Sequence, residues 1–146
     1  MVIDVIVSSS TTSNSKIRIL VVDDEPDILL TLDAVLSERG HYVKTFDNPA
    51  EALSHLTSGN GVTSYDLVIT DYRMPGDISG LDIARQVKER TGRKTKVFLM
   101  SGSFNISSLP EEFVETLKPE IIDEFVQKPI SNDKLVAIIE KELLTQ

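Results

Sequence analysis

From residue 17 onward, apolar positions along this chain switch repeatedly between two periods. Ile17-Arg-Ile-Leu-Val-Val22 is an apolar, β-branched run, the pattern of a buried strand. Ile28, Leu32, Val35 and Leu36 then recur at helical spacing, with Pro26 suited to a first turn and Gly40 supplying the stop. Tyr42 to Phe46 predicts a second strand, less apolar and so nearer an edge. Asn48-Pro-Ala-Glu51 has the form of an N-cap, a Pro at N1 and a capping-box acid, opening a short helix that fades by Gly59. Asp66 to Thr70 predicts a third strand, and Ser79-Gly-Leu-Asp82 opens a third helix that ends near Gly92. Lys96 to Met100 is a fourth strand, and Pro110 to Lys118 a weaker fourth helix between two prolines. Glu124 to Gln127 is a short fifth strand. Ser131 then caps a last helix with Leu135, Ile138, Ile139 and Leu143 on one stripe.

Five strands alternating with five helices predict a parallel sheet covered on both faces. Right-handed crossovers make it a doubly wound α/β layer. Residues 1–15 stand apart: Ile3, Val5 and Val7 alternate, but Ser8 to Ser15 is a polar low-complexity stretch that buries no face. The expected organisation is a flexible tail over 1–15 and one domain over 16–146.

Charge and composition narrow the function. A net charge of −8 argues against a nucleic-acid partner, since phosphate backbones are held by clustered Lys and Arg. With no cysteine there are neither disulfides nor thiolate metal sites. His41 and His55 lie far apart without metal-ligand spacing, and both are expected at surface or half-buried positions. No apolar run approaches a membrane span, and the start lacks a basic n-region, so no membrane contact and a cytoplasmic location are expected.

In a sheet of this kind ligands bind beyond the carboxyl ends of the strands. Asp23 and Asp24 follow the first strand, Asp71 the third, Ser101 the fourth and Lys128 the fifth. Each has an ordinary explanation when taken singly. Acids complement a helix N-terminus, Asp71 could begin a turn before Pro75, Ser101 with Gly102 could be turn chemistry, and Lys128 could be a solvated charge. Together they require independent accidents at four strands. Three acids at one edge repel unless a cation neutralises them, and oxygen ligands favour Mg2+. A carboxylate so placed can act as a nucleophile toward an activated phosphoryl donor.

These residues resemble the response-regulator receiver domains of two-component signalling. The match is carried by Val21-Val-Asp-Asp-Glu-Pro26, Asp71-Tyr-Arg-Met-Pro75, Met100-Ser-Gly102 and Phe125-Val-Gln-Lys-Pro129, in order and at fitting strand ends. The resemblance implies a flavodoxin-like sheet of order 2-1-3-4-5 in a stand-alone receiver domain. It implies Asp71 as phosphoacceptor, with Asp24, Asp71 and the backbone carbonyl of Arg73 on Mg2+ (or Mn2+) and Asp23 acting through a coordinated water. Lys128 would pair with Asp71 at rest and with a phosphoryl oxygen afterwards, while Ser101 would hydrogen-bond another. Phe125 takes the position of an aromatic switch, and Lys128-Pro129 that of a cis peptide. Arg73 and Ser103 border the site. The implied partners are a histidine kinase or histidine-containing phosphotransfer protein and a downstream protein target. The chain would be a monomer or a weak, phosphorylation-dependent dimer.

The chain departs from the family pattern in a longer Pro75–Gly80 loop, in the stretch 119–123, in Ser for Thr at 101 and in Phe for Tyr at 125. None removes a chemical group the site needs. Two rivals remain at this stage. An aspartate-nucleophile phosphohydrolase generally needs a second acid two residues after the nucleophile, where this chain has Arg73. A docking module that is never phosphorylated would not need the complete set Asp24, Asp71, Ser101 and Lys128. Within the preferred reading no DNA-binding output is expected. The switch face would dock on a target or the phosphoryl group would be relayed.

Overall fold

The structure, a computed structural model, describes residues 16–59, 61, 64–92, 94–102 and 120–144. Strands β1 (Arg18–Val22), β2 (Tyr42–Phe46), β3 (Leu67–Asp71), β4 (Lys96–Ser101) and β5 (Glu124–Gln127) form one sheet. Its order is β2-β1-β3-β4-β5, all neighbours parallel. Helices α1 (Pro26–Glu38), α2 (Pro49–Thr57) and α3 (Gly80–Thr91) join successive strands from β1 to β4, and α4 (Asn132–Leu144) follows β5. The helix expected from Pro110 to Lys118 and the tail 1–15 lie outside the described residues, as does Ser103.

Alternation within each strand divides the core in two. Ile19, Val21, Ile69, Phe98 and Met100 face α1 and α4, meeting Leu29, Leu32, Leu36, Leu135 and Ile139. The intervening residues Leu20, Val22, Val68, Val97 and Leu99 face α2 and α3, meeting Ala52, Leu56, Ile83, Ala84 and Val87. Because β1, β3 and β4 are buried on both sides, they read as continuous apolar runs. The edge strand β2 is only partly buried, as its composition predicts.

Helix starts follow the caps read from the sequence. The Asn48 side chain accepts from the backbone N–H groups of Ala50 and Glu51 at 2.8 and 3.1 Å. Ser79 and Asp82 form a reciprocal capping box, and Ser131 Oγ accepts from Lys134 N at 3.2 Å. Gly40, at φ 93°, turns the chain out of α1 in a conformation that suits glycine.

His41 corrects the sequence expectation: it is buried, with 6% of its surface exposed. Its Nδ1 accepts the Ile17 N–H at 3.2 Å, satisfying a donor at the start of the sheet. A second pair was also unforeseen. Lys88 on α3 places its ammonium 2.6 Å from Asp123 Oδ2 and 3.0 Å from the Thr95 carbonyl, tying the helix to the entry of β5. No helix among the described residues is long and apolar enough to cross a membrane.

Candidate functional site

Parallel register brings the carboxyl ends of the strands to one edge, with Val22 beside Thr70, Asp71 beside Met100 and Ser101 beside Gln127. At that edge the chain leaves β1 through Asp23, whose N–H still donates to Phe46 O at 3.1 Å. This keeps Asp23 against the sheet, and it is fully buried. Its Oδ1 accepts the Glu25 N–H at 2.9 Å and its Oδ2 accepts Lys128 Nζ at 2.8 Å. Asp24 is half-buried beside it.

Asp71 ends β3 and is 6% exposed. The following loop is pinned where Tyr72 N donates to Met100 O at 2.7 Å and Gly80 N donates to Tyr72 O at 2.9 Å. Gly80 starts α3 directly against the Asp71 carbonyl, which also accepts the Thr70 hydroxyl at 3.0 Å. A Cβ at position 80 would collide with that carbonyl, so the helix reaches this position only with glycine.

Ser101 ends β4, 3% exposed, and its hydroxyl has no hydrogen-bond partner among the described residues. A buried hydroxyl without a partner carries a desolvation cost that an incoming acceptor would relieve. Lys128 follows β5, anchored by its N–H to Ser101 O at 2.8 Å, and the Lys128–Pro129 bond is cis. The Gln127 amide also donates to Ser101 O, at 3.0 Å. The Lys128 ammonium lies 3.3 Å from both Asp71 Oδ1 and Glu25 Oε2.

The acids therefore converge. Asp23, Asp24 and Asp71 each offer an oxygen, all within 4.8 Å of one another. Burial is the main cause that raises the Asp71 pKa to about 6, with the Asp23 charge adding to it and Lys128 opposing. Burial alone would depress Lys128, but its hydrogen bond to Asp23 and the surrounding acids raise its pKa overall. One ammonium cannot balance this many carboxylates. The oxygen-only donor set, one buried face and an excess of negative charge fit a hard divalent cation such as Mg2+. Beyond the acids the site opens into a cleft of about 760 Å³, lined also by Arg73, Gly102 and Ile130.

Asp23, Asp24 and Asp71 are thus brought together with Lys128 against two of them, and Ser101 stands at the adjoining end of β4. Lys128 is shared, and its shortest contact is to Asp23 rather than Asp71. Phe125 is half-buried on β5, paired with Leu99 and packed on the α2–α3 side of the sheet. Arg73 is exposed at the cleft. Sequence reasoning missed Glu25, Gly80 and Gln127, whose partners lie up to 103 residues away.

Residues 19–140 match the response regulator receiver domain. The chain is 38% identical to the response regulator protein TrrA of Thermotoga maritima, solved in complex with Mg2+-BeF. That match covers 87% of this chain and 98% of the other at a TM-score of 0.65. A receiver domain protein from Clostridium thermocellum is 32% identical, with 88% and 99% covered and a TM-score of 0.68. Among curated proteins, the nitrogen assimilation regulatory protein NtrX of Azorhizobium caulinodans is 31% identical over 87% of this chain, and chemotaxis protein CheV1 of Helicobacter pylori 31% over 86%. The chain spans 26% and 37% of the length of these two relatives.

Proposed function

The chain belongs to the response regulator receiver family, whose members are signalling phosphoacceptors rather than conventional enzymes, and from that premise we propose that Asp71 accepts a phosphoryl group from a histidine kinase or a histidine-containing phosphotransfer protein. One Asp71 carboxylate oxygen bonds to phosphorus as the donor's P–N bond breaks. The electron pair stays on the imidazole nitrogen, which takes a proton from solvent. With a pKa of about 6, Asp71 is ionised in most molecules at neutral pH.

Asp24, Asp71 and the Arg73 carbonyl would hold Mg2+, or Mn2+ in its place, with Asp23 acting through a water. When bound, the cation supplies neutralisation of the phosphoryl oxygens. Lys128 keeps its hold on Asp23 and donates to one phosphoryl oxygen. The Ser101 hydroxyl, without a partner among the described residues, moves to donate to another. Its movement leaves space that the Phe125 ring fills, favouring a second packing of the face that includes β5 and α4. Phosphorylation then biases two existing arrangements, and the favoured face signals to a protein target or the phosphoryl group is passed on. The receiver unit would comprise residues 16–146, monomeric or weakly dimeric when phosphorylated.

The convergence of three carboxylates within 4.8 Å beside the Lys128 ammonium supports this most, together with the buried Ser101 hydroxyl at the end of β4, which has no partner among the described residues. Relatives support it too, since TrrA was solved with Mg2+-BeF and DrrB as a BeF3-activated receiver. Intact-mass spectrometry after exposure to phosphoramidate with Mg2+ is the test. Wild type is expected to gain one phosphoryl group, Mg2+-free samples and Asp71→Asn none. Equal labelling of both proteins would refute the assignment.

A further inference from the structure

Glu25 stands at the N-cap of α1, yet its carboxylate makes no capping hydrogen bond. Glutamate is not among the favoured N-cap residues, and here the side chain turns instead to Lys128, 3.3 Å away. A lysine ammonium has three donor positions. In this structure three carboxylates surround them, with hydrogen bonds to Asp23 and Glu25 and an ion pair to Asp71. For Lys128 to donate to a phosphoryl oxygen, one partner must be given up. Asp23 is fully buried and closest, so releasing it would strand a buried charge. Asp71 is the acceptor itself. The Glu25 side chain is 60% exposed and can rotate into water at little cost.

We propose that Glu25 is a positioning residue that occupies the third donor of Lys128 at rest and competes with the incoming phosphoryl group for it. The competition slows phosphorylation and holds the ammonium toward the mouth of the cleft. The inference rests on Asp71 being the phosphoacceptor, and it adds a control beyond the residues placed on the cation and the phosphoryl group. Asp27 supplies the comparison: it lines the same cleft, is also acidic, and belongs to the first turn of α1.

The test is the initial rate of Mg2+-dependent labelling by phosphoramidate at low ionic strength, read by intact mass, for wild type, Glu25→Gln, Glu25→Ala and Asp27→Asn. Because Glu25 provides no cap hydrogen bond, both of its variants are expected to fold with unchanged thermal midpoints. Both should label about two- to fivefold faster than wild type, the size of competition expected from one exposed ion pair, and the gain should shrink in high salt. Asp27→Asn should label at the wild-type rate. Glu25 variants no faster than wild type, or Asp27→Asn accelerated equally, would overturn the role of Glu25 while leaving Asp71 as acceptor. A wild type that fails to label at all would instead defeat the phosphoacceptor reading, and this inference with it.

Discussion

Replacing Asp71 by Asn should stabilise the metal-free protein at neutral and alkaline pH. The substitution keeps the shape and removes a buried charge that faces Asp23 and Asp24. A folded-state pKa of about 6 against an ordinary 3.8 means that the native state binds more protons than the unfolded chain between those values. Stability from this group is therefore full below the lower value and falls as pH rises through the upper one. Above about pH 7 the ionised carboxylate costs about 3 kcal/mol by that reckoning, and about 1–3 kcal/mol after allowance for relaxation of the site. Urea denaturation in a chelator at pH 4 and pH 8 measures it. Asn should match wild type at pH 4 and exceed it by about 1–3 kcal/mol at pH 8. Added Mg2+ should stabilise wild type far more than Asn, closing or reversing the gap. A less stable Asn variant at pH 8 without metal would mean that the Lys128 attraction outweighs burial, and the electrostatic description of the site would be wrong.

Further expectations concern the scaffold and its pH response. Gly80→Ala should cost about 1–3 kcal/mol in urea denaturation and slow Mg2+-dependent labelling, because the added methyl pushes α3 off the Asp71 carbonyl. Asp123→Ala should cost about 3–5 kcal/mol, since it strands the buried Lys88 ammonium and the Val97 N–H, which donates to Asp123 Oδ2 at 2.8 Å. Burial lowers the His41 pKa, outweighing the pull of Glu140. The unfolded chain thus binds more protons, and wild type should lose stability as pH falls through 6.5 toward the folded value. His41→Gln should lack that component when the two pH profiles are compared, and parallel profiles would refute it.

Much of this architecture was legible because its signals are local. Ile17 to Val22 and Lys96 to Met100 are continuous apolar runs because both of their faces are covered, and Asn48, Ser79 and Ser131 announce helix starts within three residues. The candidate site was legible for a different reason. In a parallel sheet the residue after each strand reaches the same edge, so a strand assignment is also a site assignment. What escaped was set by tertiary contact. His41 was expected at a surface or half-buried position, and only the fold reveals that it is buried and that its ring satisfies Ile17 N. Lys88 and Asp123 are 35 positions apart, and nothing near either one marks them as a pair. Glu25 carried no role of its own in the sequence beyond its place in Val21-Val-Asp-Asp-Glu-Pro26, whereas its carboxylate faces a lysine that follows the edge strand β5.

The most direct check is to find which side chain carries the phosphoryl group. Borohydride reduction of the labelled protein converts an aspartyl phosphate to homoserine, and peptide sequencing then reads its position. Homoserine should appear at position 71 alone and only when Mg2+ was present during labelling. Homoserine at position 23 or 24, or labelling that leaves position 71 as aspartate, would contradict the site described here.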